Sequence, residues 1–307
     1  MRSVLAATLL GLIITFQLSP HSSLSPRVAA YTVDRAPAKG WAVVAGGSDG
    51  LGKAWAQRLT ALGLNLLLIA RRRTPLEELA ATLRAANQGG IVVETLELDL
   101  AKMTPQDVEQ RILTAERDVR LVIYNAAATG PRGDFILGTF EQSATAVDVN
   151  VRGVLLLTHA FARKMDAAGT RGGVVLMSSL SGVVGSAFIS GYAATKSYIT
   201  TLARGLFVEL RPRGIDVLSC VAGATTTPTY LKTLGEVETR KTFIEQNPKE
   251  VVEECLCSLG REPSIVTGAL NKLARSLFVR LLPVKLAVQT MSEQAGEQMG
   301  FALKKER

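Results

Sequence analysis

Residues 40–59 read GWAVVAGGSDGLGKAWAQRL: an apolar run, a glycine-rich turn and an amphipathic stretch in direct succession. WAVVA (41–45) is apolar throughout, which predicts a strand buried on both faces. KAWAQRLTAL (53–62) spaces its apolar residues as a helix does. Between them, Gly46, Gly50 and Gly52 give the spacing G-x-x-x-G-x-G. Gly46 permits a sharp turn, while Gly50 and Gly52 let backbone and helix approach a pyrophosphate closely. The helix start adds N–H donors and the positive end of a dipole. A glycine pattern alone is common, but between a strand and a helix it points to a dinucleotide phosphate site. Gly47-x4-Gly52-Lys53 also approaches a nucleoside-triphosphate loop. That reading fails at Ala54, where a hydroxyl should hold Mg2+.

Outward from this unit, the strand pattern recurs at LNLLLIA (64–70), IVVETLEL (91–98), LVIYNAA (121–127), GVVLMSS (173–179), IDVLSCVA (215–222) and SIVTG (264–268). PLEELAATLRAA (75–86), PQDVEQRILTAE (105–116) and the stretches 140–168 and 190–210 predict the intervening helices. Seven apolar strands alternating with helices predict an α/β fold, a doubly wound parallel sheet of the Rossmann type. No repeat or long linker divides residues 40–295, so one domain is expected there, followed by a polar tail at 296–307. Asp99, ahead of Leu100, ends the third strand, and Asn125, ahead of Ala126, ends the fourth. Both fall on the edge where such sheets bind ligands. Asp99 also suits a plain turn cap.

Of the 307 residues, 47% are hydrophobic and 20% charged, which excludes a disordered or low-complexity chain. Three cysteines, Cys220, Cys255 and Cys257, exclude a disulfide scaffold. Cys255 and Cys257 read as helix packing, and two histidines without clustered ligand spacing give no metal site. The net charge of +8 has no basic block interleaved with aromatics, so no nucleic-acid face is expected. Residues 1–39 differ from the rest. Arg2 precedes an apolar run, Val4–Phe16, too short to span a membrane and of signal-core length. A Ser/Pro stretch follows, and Val28-Ala29-Ala30 suits a cleavage site. The segment reads as a targeting or anchoring element: a cleaved signal, an uncleaved anchor or an organelle presequence. Near the other end, SLFVRLLPVKLAVQTM (276–291) mixes apolar clusters with Arg280 and Lys285 around a helix-breaking Pro283. Its composition suits packing or a membrane surface.

Tyr192 and Lys196 lie four residues apart within GYAATKSYITTLARGLFVEL, on one helix face. A free phenol has a pKa of about 10, and a neighbouring ammonium favours its phenolate. The pair is therefore a candidate acid/base. Ser179 closes the preceding strand and offers a hydroxyl to a substrate carbonyl, while the Asn150 amide, in VDVNVRG, offers to hold a water in the proton path.

Taken together, AGGSDGLG, YNAA, Asn150, Ser179 and Tyr192-Ala-Ala-Thr-Lys196 occur in the order of the short-chain dehydrogenase/reductase pattern. The chain resembles that family over almost all of residues 40–270. The resemblance implies Tyr192 as proton donor, Ser179 as carbonyl orienter, Lys196 on the nicotinamide ribose and Asn150 in the proton relay. It implies a dinucleotide held by Gly46, Ser48, Asp49, Gly50, Leu51 and Gly52, by Asp99, Leu100, Asn125 and Ala126, by Tyr192 and Lys196, and by Gly223, Thr225 and Thr227. The sequence departs from the family pattern at Ala45, Tyr124, Ala127 and Ala222. In NAD-using relatives an acid ends the second strand; here Arg71 and Arg72 stand there, and no acid occurs from Asn65 to Pro75. A guanidinium suits a 2′-phosphate, so the expected cofactor is NADP.

KGWAVVAGGSDGLGKAWAQRL resembles the branch of 17β-hydroxysteroid dehydrogenases and very-long-chain 3-oxoacyl-CoA reductases. That implies reduction of a small hydrophobic carbonyl substrate, a homo-oligomer, and association with the endoplasmic reticulum membrane through the N-terminus. A catalytically silent dinucleotide-binding sensor on the same fold is the competing expectation.

Overall fold

In the computed structural model, which describes residues 23–32, 40–88, 90–234 and 245–303, seven parallel strands lie in the order β3-β2-β1-β4-β5-β6-β7. They are β1 (Trp41–Ala45), β2 (Asn65–Ala70), β3 (Val93–Glu97), β4 (Val119–Tyr124), β5 (Gly172–Ser179), β6 (Ile215–Ala222) and β7 (Ser264–Val266). The chain runs outward from β1 to β3, then returns to place β4 beside β1. That reversal opens a crevice at the carboxyl ends of β1 and β4, where doubly wound sheets bind ligands. Register aligns the ends: Ala45 pairs with both Ile69 and Tyr124, and Ser179 pairs with Ala222.

The helices are α1 (Pro26–Thr32), α2 (Gly50–Ala61), α3 (Arg73–Ala86), α4 (Phe140–Val147), α5 (Gly153–Ala167), α6 (Ser181–Val184), α7 (Ser190–Leu210), α8 (Pro228–Leu234), α9 (Pro248–Ser258), α10 (Ala269–Ser276) and α11 (Val284–Met299). Strand alternation divides the core in two. Val44, Leu66 and Leu68 meet Trp55 and Leu59 of α2, Leu76 and Leu79 of α3, and Val251 of α9. Val43, Leu67 and Ile69 meet Leu157 and Phe161 of α5 and Ile199 of α7 on the other face. Each large apolar side chain fully buried in this way contributes about 1.5–3 kcal/mol. A strand apolar throughout is what such a two-sided core requires.

Three expectations are corrected at the periphery. Within the segment 1–39, residues 26–32 belong to the packed domain: α1 docks on it, with Val28 and Tyr31 buried in the core. The Tyr31 hydroxyl donates to Asp216 Oδ2, and Arg27 lies 3.3 Å from Asp216 Oδ1. Asp216, fully buried at the start of β6, thereby gains a charged and a neutral partner. Cleavage at Val28-Ala29-Ala30 would cut inside this helix. The apolar run Val4–Phe16 lies outside the described residues. No helix of the described residues is long and apolar enough to cross a membrane.

The second correction concerns Cys255, which does pack against the sheet but is also bonded to Cys220 on β6, 35 positions away in sequence, with Cα atoms 5.9 Å apart. Closing a loop of that size stabilises the fold by about 4 kcal/mol in the chain-entropy picture. Only folding apposes the two thiols, so spacing could not reveal the pair. Cys257 is buried and free. Third, the boundary at 295/296 falls within α11, which runs to Met299, and Phe301 turns back to stack on Phe188 at 5.3 Å.

Tyr31→Phe removes a donor from a buried carboxylate and is expected to lower unfolding free energy by about 1–3 kcal/mol. Urea denaturation of the full chain checks this, and unchanged stability would show that Arg27 alone satisfies Asp216.

Candidate active site

The phosphate loop is built by close backbone approach. Gly46 adopts φ +85°, and a Cβ there would lie 2.6 Å from Ala126 N; a Cβ on Gly52 would lie 1.9 Å from the Gly46 carbonyl oxygen. Neither position tolerates a side chain. Asn125 Nδ2 donates to that same carbonyl at 2.9 Å, so β4 holds the turn from across the crevice. The Gly50 N–H donates to Asp49 Oδ1 at 2.7 Å, capping α2. Ser48 is half-buried, and Leu51 leans on the core below. This cradle of glycines at a helix start fits a dinucleotide pyrophosphate.

At the adenosine end, a cleft of about 860 Å3 is lined by Arg71, Arg73, Asp99, Glu97 and Lys102, among others. Arg71 is exposed there, whereas Arg72 turns to Asp49, 4.0 Å away. Asp99 acts as the turn cap, accepting from the Ala101 N–H at 3.1 Å. Leu100 is buried in the core and does not line this cleft. On the opposite side, Thr227 packs over the phosphate loop; a Cβ on Gly50 would stand 3.0 Å from Thr227 Cβ. Gln246, which nothing in the sequence singles out, orders this segment. Its Oε1 accepts from Gly223 N at 3.3 Å, Thr267 Oγ1 at 2.9 Å and Asn271 Nδ2 at 2.9 Å. Thr225 is buried beside it, donating to the Gly223 carbonyl at 3.0 Å. Tyr230 and Leu231 sit on α8 at this edge, while Phe243 and the Leu234 side chain lie outside what is described.

Asn150 occupies a widened π turn, Asp148–Arg152, between α4 and α5. The wider turn offers the Val149 carbonyl to the Tyr124 hydroxyl, which donates at 2.6 Å. Gly153 makes the space: a Cβ there would lie 2.4 Å from that hydroxyl oxygen. Tyr124 thus replaces the family's asparagine with a buried brace. Asn150 Nδ2 donates to the Ala128 carbonyl at 2.7 Å and to Thr195 Oγ1 at 2.9 Å, and Oδ1 accepts from Ala128 N at 2.9 Å. Both amide protons are engaged, which leaves the second lone pair of Oδ1 as the place where this amide could hold a water. It clamps the loop after β4 to the helix carrying Tyr192.

Ser179 ends β5, and its Oγ accepts from the Ser181 hydroxyl at 3.1 Å and the Ser181 N–H at 3.3 Å. Its own proton is left for Tyr192, whose phenol it influences, or for a substrate oxygen. Burial raises the Tyr192 phenol above its ordinary value, while the Ser179 hydrogen bond and the Arg132 guanidinium pull it down. Lys196 contributes less than the spacing suggested. Its Nζ lies 5.5 Å from the Tyr192 ring centroid and donates to the Met177 carbonyl at 2.8 Å. Burial brings the Lys196 ammonium down to about 7. Arg132, distant in sequence, is the charge that lowers the phenol.

The loop before α7 is held under constraint. Phe188 adopts φ +65°, a sparsely populated region for a bulky residue. Its carbonyl accepts from the Gly133 N–H at 2.9 Å, and its ring stacks on Phe301. A recess of about 20 Å3 beside Tyr192, walled by Thr129, Gly130, Phe188 and Ser190, accommodates a carbonyl-sized group. The body of any larger substrate must lie outside it.

The short chain dehydrogenase family matches residues 40–236. The chain belongs to that family. A 7beta-hydroxysteroid dehydrogenase from Clostridium sardiniense is 29% identical over 233 residues, covering 76% of this chain and 87% of that protein. A very-long-chain 3-oxoacyl-CoA reductase from Podospora anserina is 30% identical over 223 residues, which is 72% of this chain but 63% of the relative. Among solved structures, a 7beta-hydroxysteroid dehydrogenase matches with a TM-score of 0.75 at 26% identity, over 82% of this chain and 96% of that one. A short-chain dehydrogenase from Sphingobium yanoikuyae in complex with NADPH matches with a TM-score of 0.65 at 30% identity, over 74% and 87%. The protein is an oxidoreductase acting on hydroxyl or carbonyl groups, as the sequence motifs imply, and its family uses NAD(P).

Gly153→Ala forces a methyl against the Tyr124 hydroxyl and is expected to cost about 1–3 kcal/mol. Tyr124→Phe added to it should recover part of that loss, because the contact is with the oxygen alone. A double-mutant cycle by urea denaturation measures the coupling; strict additivity would show that the two side chains do not meet.

Proposed function

We propose that the protein is an NADPH-dependent carbonyl reductase that converts a hydrophobic ketone, a 3-oxoacyl thioester or steroid-like compound, to its alcohol. The observation that carries this reading is the meeting of Ser179 and Tyr192 with buried Lys196 at the same sheet edge as the glycine cradle. When bound, the nicotinamide exchanges a hydride with the substrate carbon. Tyr192 gives its phenolic proton to the carbonyl oxygen. Ser179 donates a hydrogen bond to that oxygen and orients it. Lys196 uses one N–H on Met177 and has two left for the nicotinamide ribose. Asn150, with both amide protons engaged, positions the Tyr192 helix and leaves the relay to solvent along the crevice. The named relatives act on steroids and acyl thioesters, which supports a hydrophobic substrate. The Val4–Phe16 run supports placement at a membrane such as the endoplasmic reticulum, and the long helices α5 and α7 suit pairing into a homo-oligomer.

Tyr192→Phe removes only the phenolic proton and is expected to retain NADPH binding while losing about 10²–10⁴-fold in turnover. Stopped-flow and steady-state assays on a hydrophobic ketone check this. Retained turnover would remove Tyr192 as the acid; binding of NADPH without turnover in the unmodified protein would favour the silent sensor instead.

Cofactor preference follows from the basic turn after β2. Arg71 lines the adenosine cleft without an acid at the end of β2 beside it, so a 2′-phosphate would find a guanidinium where NAD-selective proteins place a carboxylate. Replacing Arg71 and Arg72 together with Ala is expected to weaken NADPH by roughly tenfold or more while NADH changes little, since charge-assisted hydrogen bonds contribute ~1.5–3 kcal/mol each. Fluorescence titration with both cofactors measures this; an unmodified protein preferring NADH would refute the assignment.

A further inference from the structure

From Pro263 to Ser292 the chain contains no aspartate or glutamate, yet carries Lys272, Arg275, Arg280 and Lys285. This stretch forms β7, α10, a widened turn at Leu277–Leu281 and α11, entered after Pro283. Lys272 is paired with Glu254 at 2.8 Å. Arg275, Arg280 and Lys285 have no ion pair among the described residues. Arg275 is half-buried, and its neighbours make its charge costly: desolvation lowers its pKa, with repulsion from Arg204 and Arg280 adding to the effect.

The same stretch exposes an unusual amount of apolar surface. Leu270, Leu273 and Leu277 follow one another at helical spacing along α10 and are 54%, 47% and 42% exposed. Leu281, Val284 and Leu286 continue the exposure across the turn into α11, with Val284 at 77%. Apolar exposure on this scale marks an interaction surface. Its occupant must combine hydrocarbon with negative charge, because the exposed Arg280 and Lys285 stand among the exposed Leu277, Leu281, Val284 and Leu286. A second copy of the chain is disfavoured: a two-fold interface would set this cationic cluster against itself. α11 packs on α6, which follows Ser179, and on α8, so the face borders the substrate side of the crevice.

We propose that α10, the Leu277–Leu281 turn and the start of α11 form a docking face for an anionic lipid surface, the leucines entering the headgroup boundary and Arg280 and Lys285 meeting lipid phosphates or carboxylates. The docking face stands on these residues alone; that it brings lipid-dissolved substrate to the crevice rests on the proposed ketone reduction. The test uses the full chain carrying Leu9→Ser, Leu10→Ser, Ile13→Ser and Ile14→Ser, which removes the apolar N-terminal run as a competing anchor. Co-sedimentation is measured with vesicles of phosphatidylcholine alone or mixed with phosphatidylserine. Binding to the mixed vesicles is expected, and to fall with added salt. Adding Arg280→Glu and Lys285→Glu should weaken it by roughly tenfold or more, since each basic residue near an anionic leaflet contributes substantially. Adding Leu281→Ser and Val284→Ser instead should remove the salt-resistant part. Absence of binding in the parent, or equal binding by all variants, would overturn the proposal. So would a parent dimer, seen by sedimentation velocity, that these substitutions dissociate, because the occupant would then be a second copy. Reduction of a soluble ketone by NADPH should be unchanged in every variant. Its absence throughout would refute the proposed reaction while leaving the vesicle result intact.

Discussion

The structure depends on one close contact, the seating of Gly52 against the carbonyl of Gly46. A side chain at residue 52 would have to occupy the space of that oxygen. Because the contact exists, α2 can start directly above the end of β1, and its free N–H groups point into the crevice rather than at solvent. Asn125 then reaches the same carbonyl from β4. One backbone oxygen therefore joins the first strand, the first long helix and the fourth strand at the point where the sheet reverses direction. The remaining elements are arranged around that junction by ordinary two-sided burial.

The proton-handling side is organised by a second constraint, the widened turn at Asp148–Arg152. An extra residue in a helical turn displaces a carbonyl from the regular ladder, and a buried carbonyl requires a donor. Tyr124 supplies it from β4, and Gly153 leaves the room. Asn150 emerges from this turn at the angle needed to clamp Ala128 and Thr195 together. Tyr192 and Lys196 ride on the helix so clamped. Their electrostatics follow from burial more than from each other: it raises the phenol and lowers the ammonium, and the relief on Tyr192 comes from Ser179 and Arg132.

The outermost described segments both pack on the domain. α1 inserts Val28 and Tyr31 at the base of β6, far from the ligand edge, where Asp216 is compensated. At the ligand edge, Phe301 covers Phe188 and helps hold a backbone conformation that a bulky residue seldom adopts. α1 and Phe301 therefore brace opposite ends of the same sheet, one stabilising a buried charge and the other the loop that leads into the Tyr192 helix.

The sequence by itself determined the sheet and the positions of the chemistry. Strands buried on both faces are mostly apolar along their whole length, so WAVVA and IDVLSCVA coincide with β1 and β6 residue for residue. Glycine spacing marks places where a Cβ is forbidden, and the Tyr192–Lys196 spacing shows one helix face; both are local properties. What only the tertiary structure decided are relations between residues remote in the chain. Tyr124 looked like a departure from a motif until Val149 and Gly153 were brought to it. Cys220 met Cys255, Gln246 gathered three donors, and Arg132 reached Tyr192, none of them signalled by spacing. The docking of α1 was hidden because two buried side chains make too short a pattern to distinguish from a linker. The physical reason is the same in each case: periodicity reports which face of an element is buried, but the identity of the partner across the contact is set by packing that no single segment encodes.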